Sequence, residues 1–86
     1  LKIIVTGAAG FIGSHTTDHL LAAGHAVWGV DNFRTGFRSN LATAKDYRNF
    51  LLIEADAADA HSFVQIVAAI KPDVIIHLAA LVSVPE

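Results

Sequence analysis

At 86 residues the chain has room for one small domain, and a 53% hydrophobic content with a net charge of −2 excludes a disordered segment. Eight Asp and Glu outnumber six Lys and Arg, which argues against a nucleic-acid partner, and the lack of cysteine excludes disulfides and thiolate metal sites. No apolar run approaches the ~20 residues that span a bilayer, and no signal peptide is read ahead of the first strand, so no membrane partner and a cytoplasmic location are expected. The sequence begins at Leu1 and contains no Met, as expected of a processed chain or of a segment of something longer.

Lys2 to Thr6 (KIIVT) is a β-branched run bounded by Gly7, which predicts a buried strand. Phe11 to Ala23 predicts a helix of about three turns, with Ile12, Leu20 and Ala23 as its apolar residues and Gly24 as its stop signal. Ala26 to Val30 (AVWGV) is a second strand closing on Asp31. Asn32 to Asn40 (NFRTGFRSN) reads as a loop, and Leu41 to Tyr47 as a short helix. Phe50 to Glu54 (FLLIE) is a third strand. Asp59 is placed to cap a helix running through Ile70, whose Phe63, Ile66, Val67 and Ile70 recur at i, i+3, i+4, i+7 on one apolar face. Lys71 and Pro72 end that helix, and Val74 to Leu78 (VIIHL) is a fourth strand. Near-continuous apolar strands alternating with helices predict an α/β protein with a parallel sheet covered on both faces.

The strongest motif is the G-x-x-G-x-x-G run from Gly7 to Gly13, lying between the first strand and the first helix. Gly7 permits the sharp turn off the strand, Gly10 leaves room for backbone to approach a pyrophosphate, and Gly13 lets the helix pack closely on the sheet. The unpaired amides of the first helical turn then face the phosphates, aided by the helix dipole. A glycine turn can also serve packing alone. Asp31 at the end of the second strand answers the requirement for an acid about twenty residues on. Its carboxylate can accept both adenosine ribose hydroxyls and repels a 2′-phosphate, so NAD is expected over NADP; the alternative is a simple loop or helix cap.

Four segments carry a family resemblance: Thr6 to His15 (TGAAGFIGSH), Val30 to Gly36 (VDNFRTG), Glu54 to Ala57, and Val74 to Glu86 (VIIHLAALVSVPE). Together they resemble the extended short-chain dehydrogenases, and within them the NAD-dependent sugar-nucleotide epimerases and dehydratases. The resemblance covers nearly the whole chain. It implies the first four strands of a Rossmann-type doubly wound sheet in the order 3-2-1-4, that is, the N-terminal part of an NAD-binding domain. It also implies roles. Phe11 and Ile12 present amides to the pyrophosphate; Asp31 binds the adenosine ribose, with Asn32, Phe33, Thr35 and Gly36 lining that end. Asp56 bonds the adenine amine beside Ala57, and Leu78, Ala79, Ala80 and Leu81 pass under the pyrophosphate and nicotinamide ribose. Some relatives have a Lys near Val82; this chain does not. The family's acid/base Tyr, its Lys four residues on, and the nucleotide-sugar site all follow later strands, so no catalytic residue is assigned and no turnover by the 86 residues alone is expected.

Several residues read as bland. His77 is expected to be a core histidine bonded to backbone, and Trp28 to be packing. His15 and His19 stand at i, i+4 without a third ligand, so no metal site is expected. Tyr47 is followed four residues later by Leu51, not Lys. Arg34, Arg38, Lys45 and Arg48 read either as a solvated face or as one arginine approaching a phosphate or the adenine. The fourth strand is expected at a sheet edge, which predicts self-association or only marginal stability of the isolated chain. Two functions stay open: a cofactor-binding enzyme segment, or a dinucleotide sensor without chemistry. A structural fragment whose site is never filled is the third reading.

Overall fold

A computed structural model describes residues 1–79. Its elements are β1 (Lys2–Thr6), α1 (Phe11–Ala22), β2 (Ala26–Asp31), β3 (Phe50–Glu54), α2 (Ala60–Ile70) and β4 (Val74–His77). All strand pairs are parallel and the sheet order is β3-β2-β1-β4, as the resemblance implied. The register aligns the carboxyl ends: Thr6 lies beside Val30 and His77, and Asp31 beside Glu54.

Alternation within each strand divides the core. Ile3, Val5 and Val27 face α1 and pack with Ala8, Ala9, Leu21, Leu41 and Ala44, all buried. Ile4 and Val30 face the opposite side, also buried. On that side α2 presents Phe63, Ile66, Val67 and Ile70 as predicted, yet none of its residues is fully buried. The inner strands β1 and β2 are closed in; the outer strands are not, with Leu51, Val74 and Ile75 exposed.

The apolar residues named for α1 are not the ones it buries. The helix buries Gly13, Ser14, Thr17 and Leu21, while Ile12 is 60% exposed. A helix lying this close to a sheet must turn its smallest side chains inward, so sterics override hydrophobicity here. Its end is as expected. Gly24 has φ +93°, and the Gly24 and His25 amides bond the carbonyls of Leu21 and Leu20 at 3.0 and 3.1 Å, closing the last turn.

The predicted helix from Leu41 to Tyr47 is absent. Two 3-10 turns, Arg38–Leu41 and Ala44–Asp46, stand there instead, the first starting inside the predicted loop. Leu41 and Ala44 are fully buried and Tyr47 partly so. Inward residues every third position suit a 3-10 turn, in which i and i+3 eclipse, better than an α-helix.

Asp59 caps α2 as predicted: its carboxylate accepts from the Ser62 amide and, at 3.0 Å, from the Ser62 hydroxyl. Lys71, at φ 55°, closes the other end by donating its amide to the Val67 carbonyl at 2.8 Å. β4 is one residue shorter than predicted; the Leu78 amide still reaches the Thr6 carbonyl at 3.2 Å. Among the described residues no helix is long and apolar enough to cross a membrane, and no group of three or more His, Cys, Asp and Glu could hold a metal.

Candidate functional site

The site begins where β1 meets α1. Gly7 turns the chain at φ +73°, in the left-handed region that favours glycine. Gly13 sits so close to this turn that a Cβ there would lie 1.9 Å from the Gly7 carbonyl oxygen. No side chain caps α1. The Gly10 amide is taken by the Gly7 carbonyl at 3.1 Å, and the Ser14 amide begins the helical ladder on the Gly10 carbonyl at 2.8 Å. The amides of Phe11, Ile12 and Gly13 lie between these, in the first turn, where a helix has no acceptor of its own.

Asp31 is buried at the end of β2. Its Oδ2 accepts from the Ala9 amide at 2.8 Å and its Oδ1 from the Phe33 amide at 2.7 Å. The cap role weighed from sequence is therefore real: the carboxylate joins the glycine turn to the loop after β2. Each carboxylate oxygen has a second acceptor position, so the cap and a ribose contact are compatible. The Ala9 carbonyl is held as well, by the Phe37 amide at 3.1 Å and the Asn40 side-chain amide at 2.8 Å. Gly36 is buried directly against Ala9.

At the end of β3, the Ala55 amide donates to the Asp31 carbonyl at 3.1 Å. Asp56 is exposed, and its Oδ1 accepts from the Ala58 amide at 2.9 Å. At the end of β4, Thr6 Oγ1 accepts from the Ala79 amide at 3.2 Å and lies 2.7 Å from His77 Nδ1. His77 is thus exposed and paired with a side chain, not a core histidine bonded to backbone. β4 runs off the sheet at this point, so its last side chain faces the opening.

These four ends enclose a cleft of about 840 Å³, within the range of small-molecule sites. It is lined by Gly7, Gly10, Phe11, Ile12, Gly13, Asp31, Asn32, Thr35, Asp56, Ala57, Leu78 and Ala79, all of them singled out in the sequence. Phe33 and Gly36 stand behind the lining: Phe33 packs against the core. Ala80 and Leu81 lie outside the described residues. Val30, Arg34, Ala55, Ala58 and His77 also line the cleft; for Ala55 and Ala58 the signal available was their place in the turn after β3. A smaller hollow of about 320 Å³, between α2 and Ile53, is almost wholly apolar.

A parallel sheet in this order, with its cleft opening over the first strand-to-helix crossover, is a Rossmann-type α/β unit. More narrowly, the chain belongs to the GDP-mannose 4,6 dehydratase family, whose model matches residues 4–86. It is 46% identical over 84 residues to a UDP-glucose 4-epimerase of Mycolicibacterium smegmatis, covering 98% of this chain and 26% of that protein. It is 42% identical to the UDP-glucuronic acid decarboxylase 1 of Danio rerio, covering 99% of this chain and 19% of the relative. Among solved structures, the Bordetella bronchiseptica enzyme WbmH in complex with NAD+ superposes with a TM-score of 0.80 at 39% identity, over 88% of this chain and 24% of that one. The UDP-glucose 4-epimerase of Thermotoga maritima with UDP-glucose does so at 0.79 and 38%, over 91% and 24%. The chain therefore spans about a quarter or less of the length of these relatives.

Proposed function

We propose that this chain binds NAD and forms the cofactor-holding part of a nucleotide-sugar epimerase or dehydratase. The observation that carries the reading is the convergence, in one cleft, of the unpaired amides at the start of α1 and the Asp31 carboxylate. The site chemistry fits the cofactor. A Cβ at Gly13 would close the turn against which the pyrophosphate rests. The Phe11 and Ile12 amides and the positive end of the helix dipole stabilise the phosphate charge.

Asp31 uses its remaining acceptor positions for the adenosine ribose hydroxyls and repels a 2′-phosphate. Asn32 and Thr35 line that end. Asp56 accepts from the adenine amine, with Ala57 beside it. Leu78 and Ala79 pass beneath the pyrophosphate and nicotinamide ribose, where the small Ala79 side chain leaves room. The bound cofactor supplies a hydride acceptor and donor for chemistry at a sugar carbon; the residues described here bind and orient it. Similarity to proteins named as UDP-glucose 4-epimerases and UDP-glucuronic acid decarboxylases supports a nucleotide sugar as the substrate of the whole protein. A cytoplasmic location completes the reading.

Calorimetric titration tests the cofactor assignment: NAD is expected to bind and NADP to bind at least tenfold more weakly. Equal affinity for the two, or binding of neither, refutes it. Turnover of a UDP-sugar by the whole protein separates an enzyme from a dinucleotide sensor.

A further inference from the structure

The loops after β2 and β3 are joined by a cluster in which two residues, Arg38 and Glu54, stand outside the cofactor-contact residues. Phe33 is held at φ 60°, a conformation L-residues avoid. Its amide donates to Asp31 Oδ1 at 2.7 Å, so this backbone conformation and the Asp31 carboxylate are fixed together. The guanidinium carbon of Arg38 stands 4.1 Å from the centroid of the Phe33 ring. The same guanidinium donates from Nη2 to Glu54 Oε1 at 2.5 Å. Glu54 is the last residue of β3, in register with Asp31 and two residues before Asp56. One cation therefore grips the loop that carries Asn32 and Thr35 and the strand end that carries Asp56.

We infer that Arg38, stacked on Phe33 and paired with Glu54, is a positioning residue that sets the spacing of the two loops receiving the adenosine of a dinucleotide. The inference rests on the NAD reading above and adds a determinant outside the cleft lining. The side chains of Arg38 and Glu54 are 54% and 60% exposed, so the ion pair by itself contributes little to stability. What it supplies is geometry: a planar cation that lies flat on an aromatic ring while its edge meets a carboxylate. Lysine keeps the charge but lacks that plane.

The test compares Arg38→Ala, Arg38→Lys and the unaltered chain. The probes are AMP, which needs both loops, and inorganic pyrophosphate, which needs only the glycine turn. Hydrogen–deuterium exchange at the Phe33 amide is read without ligand. Arg38→Ala is expected to weaken AMP about three- to tenfold, to leave pyrophosphate unchanged and to speed exchange at Phe33. Arg38→Lys is expected to recover part of both losses. Unchanged AMP affinity and exchange in Arg38→Ala overturn the inference. A parallel loss of AMP and pyrophosphate also overturns it, since that marks a merely structural role. If the unaltered chain binds neither NAD nor AMP, the cofactor reading fails together with the adenosine role of Arg38. Exchange at Phe33 then still shows whether the two loops are braced.

Discussion

Replacing Gly13 by alanine perturbs the site at its tightest contact. The new Cβ would lie 1.9 Å from the Gly7 carbonyl oxygen and 2.8 Å from the Gly7 carbonyl carbon, whereas real Cβ atoms essentially never approach within 3.0 Å of such atoms. Both partners are backbone, so no side chain can swing aside. Relief needs the start of α1 to move more than an ångström from the β1 turn. Overpacking of this kind destabilises by about 3 kcal/mol, which in a domain of this size lowers the melting temperature by roughly 10–20 °C. The same movement displaces the Phe11 and Ile12 amides from the phosphates. Loss of one charge-assisted hydrogen bond weakens NAD by about 10- to 100-fold. Gly24→Ala is the control. Gly24 has φ +93° but nothing within 4 Å of a built Cβ, so it carries conformational strain alone, about 1–2 kcal/mol, and NAD affinity stays unchanged. Melting by circular dichroism and calorimetric NAD titration read both variants. A Gly13→Ala chain that melts within about 2 °C of the parent and binds NAD equally well refutes the close-approach reasoning.

Asp31→Asn retains one carbonyl oxygen for two backbone donors, so the fold is expected to lose about 1–3 kcal/mol and the preference for NAD over NADP to shrink; urea titration and paired calorimetric titrations check this. Thr6→Val leaves the Ala79 amide without its hydroxyl acceptor and His77 without its partner, a loss of about 1–3 kcal/mol that Thr6→Ser should largely avoid in the same denaturation assay. Asp59→Ala removes the α2 cap and is expected to lower stability by about 1 kcal/mol, seen as a small shift in the thermal midpoint with NAD binding intact. The exposed Val74 and Ile75 on edge strand β4 are expected to drive self-association, and sedimentation velocity showing only monomer at high concentration would contradict that.

Local sequence carried much of this protein. Short apolar runs between turn residues marked all four strands. The glycine spacing marked the turn, since Gly7 and Gly13 answer demands of the backbone that no other residue meets. Asp31 and Asp56 were legible from their places just at the strand ends. The misreadings share a cause. Ile12, Leu20 and Ala23 were the apolar residues legible in α1, yet the helix buries Gly13, Ser14, Thr17 and Leu21 against the sheet. The chain from Arg38 to Tyr47 was read as loop and helix, yet a threefold inward rhythm toward the core made it two 3-10 turns.

The sequence by itself determined the order of strands and helices, the glycine turn and the acid that follows it, because each rests on short-range sterics or on the chemistry of single residues. Only the tertiary structure decided that Asn40 holds the Ala9 carbonyl, that His77 pairs with Thr6, and that Arg38 joins Phe33 to Glu54. Those partners lie 31, 71 and 16 residues apart for the three hydrogen bonds, and no local pattern encodes a meeting that exists only once the parallel strands have aligned their carboxyl ends.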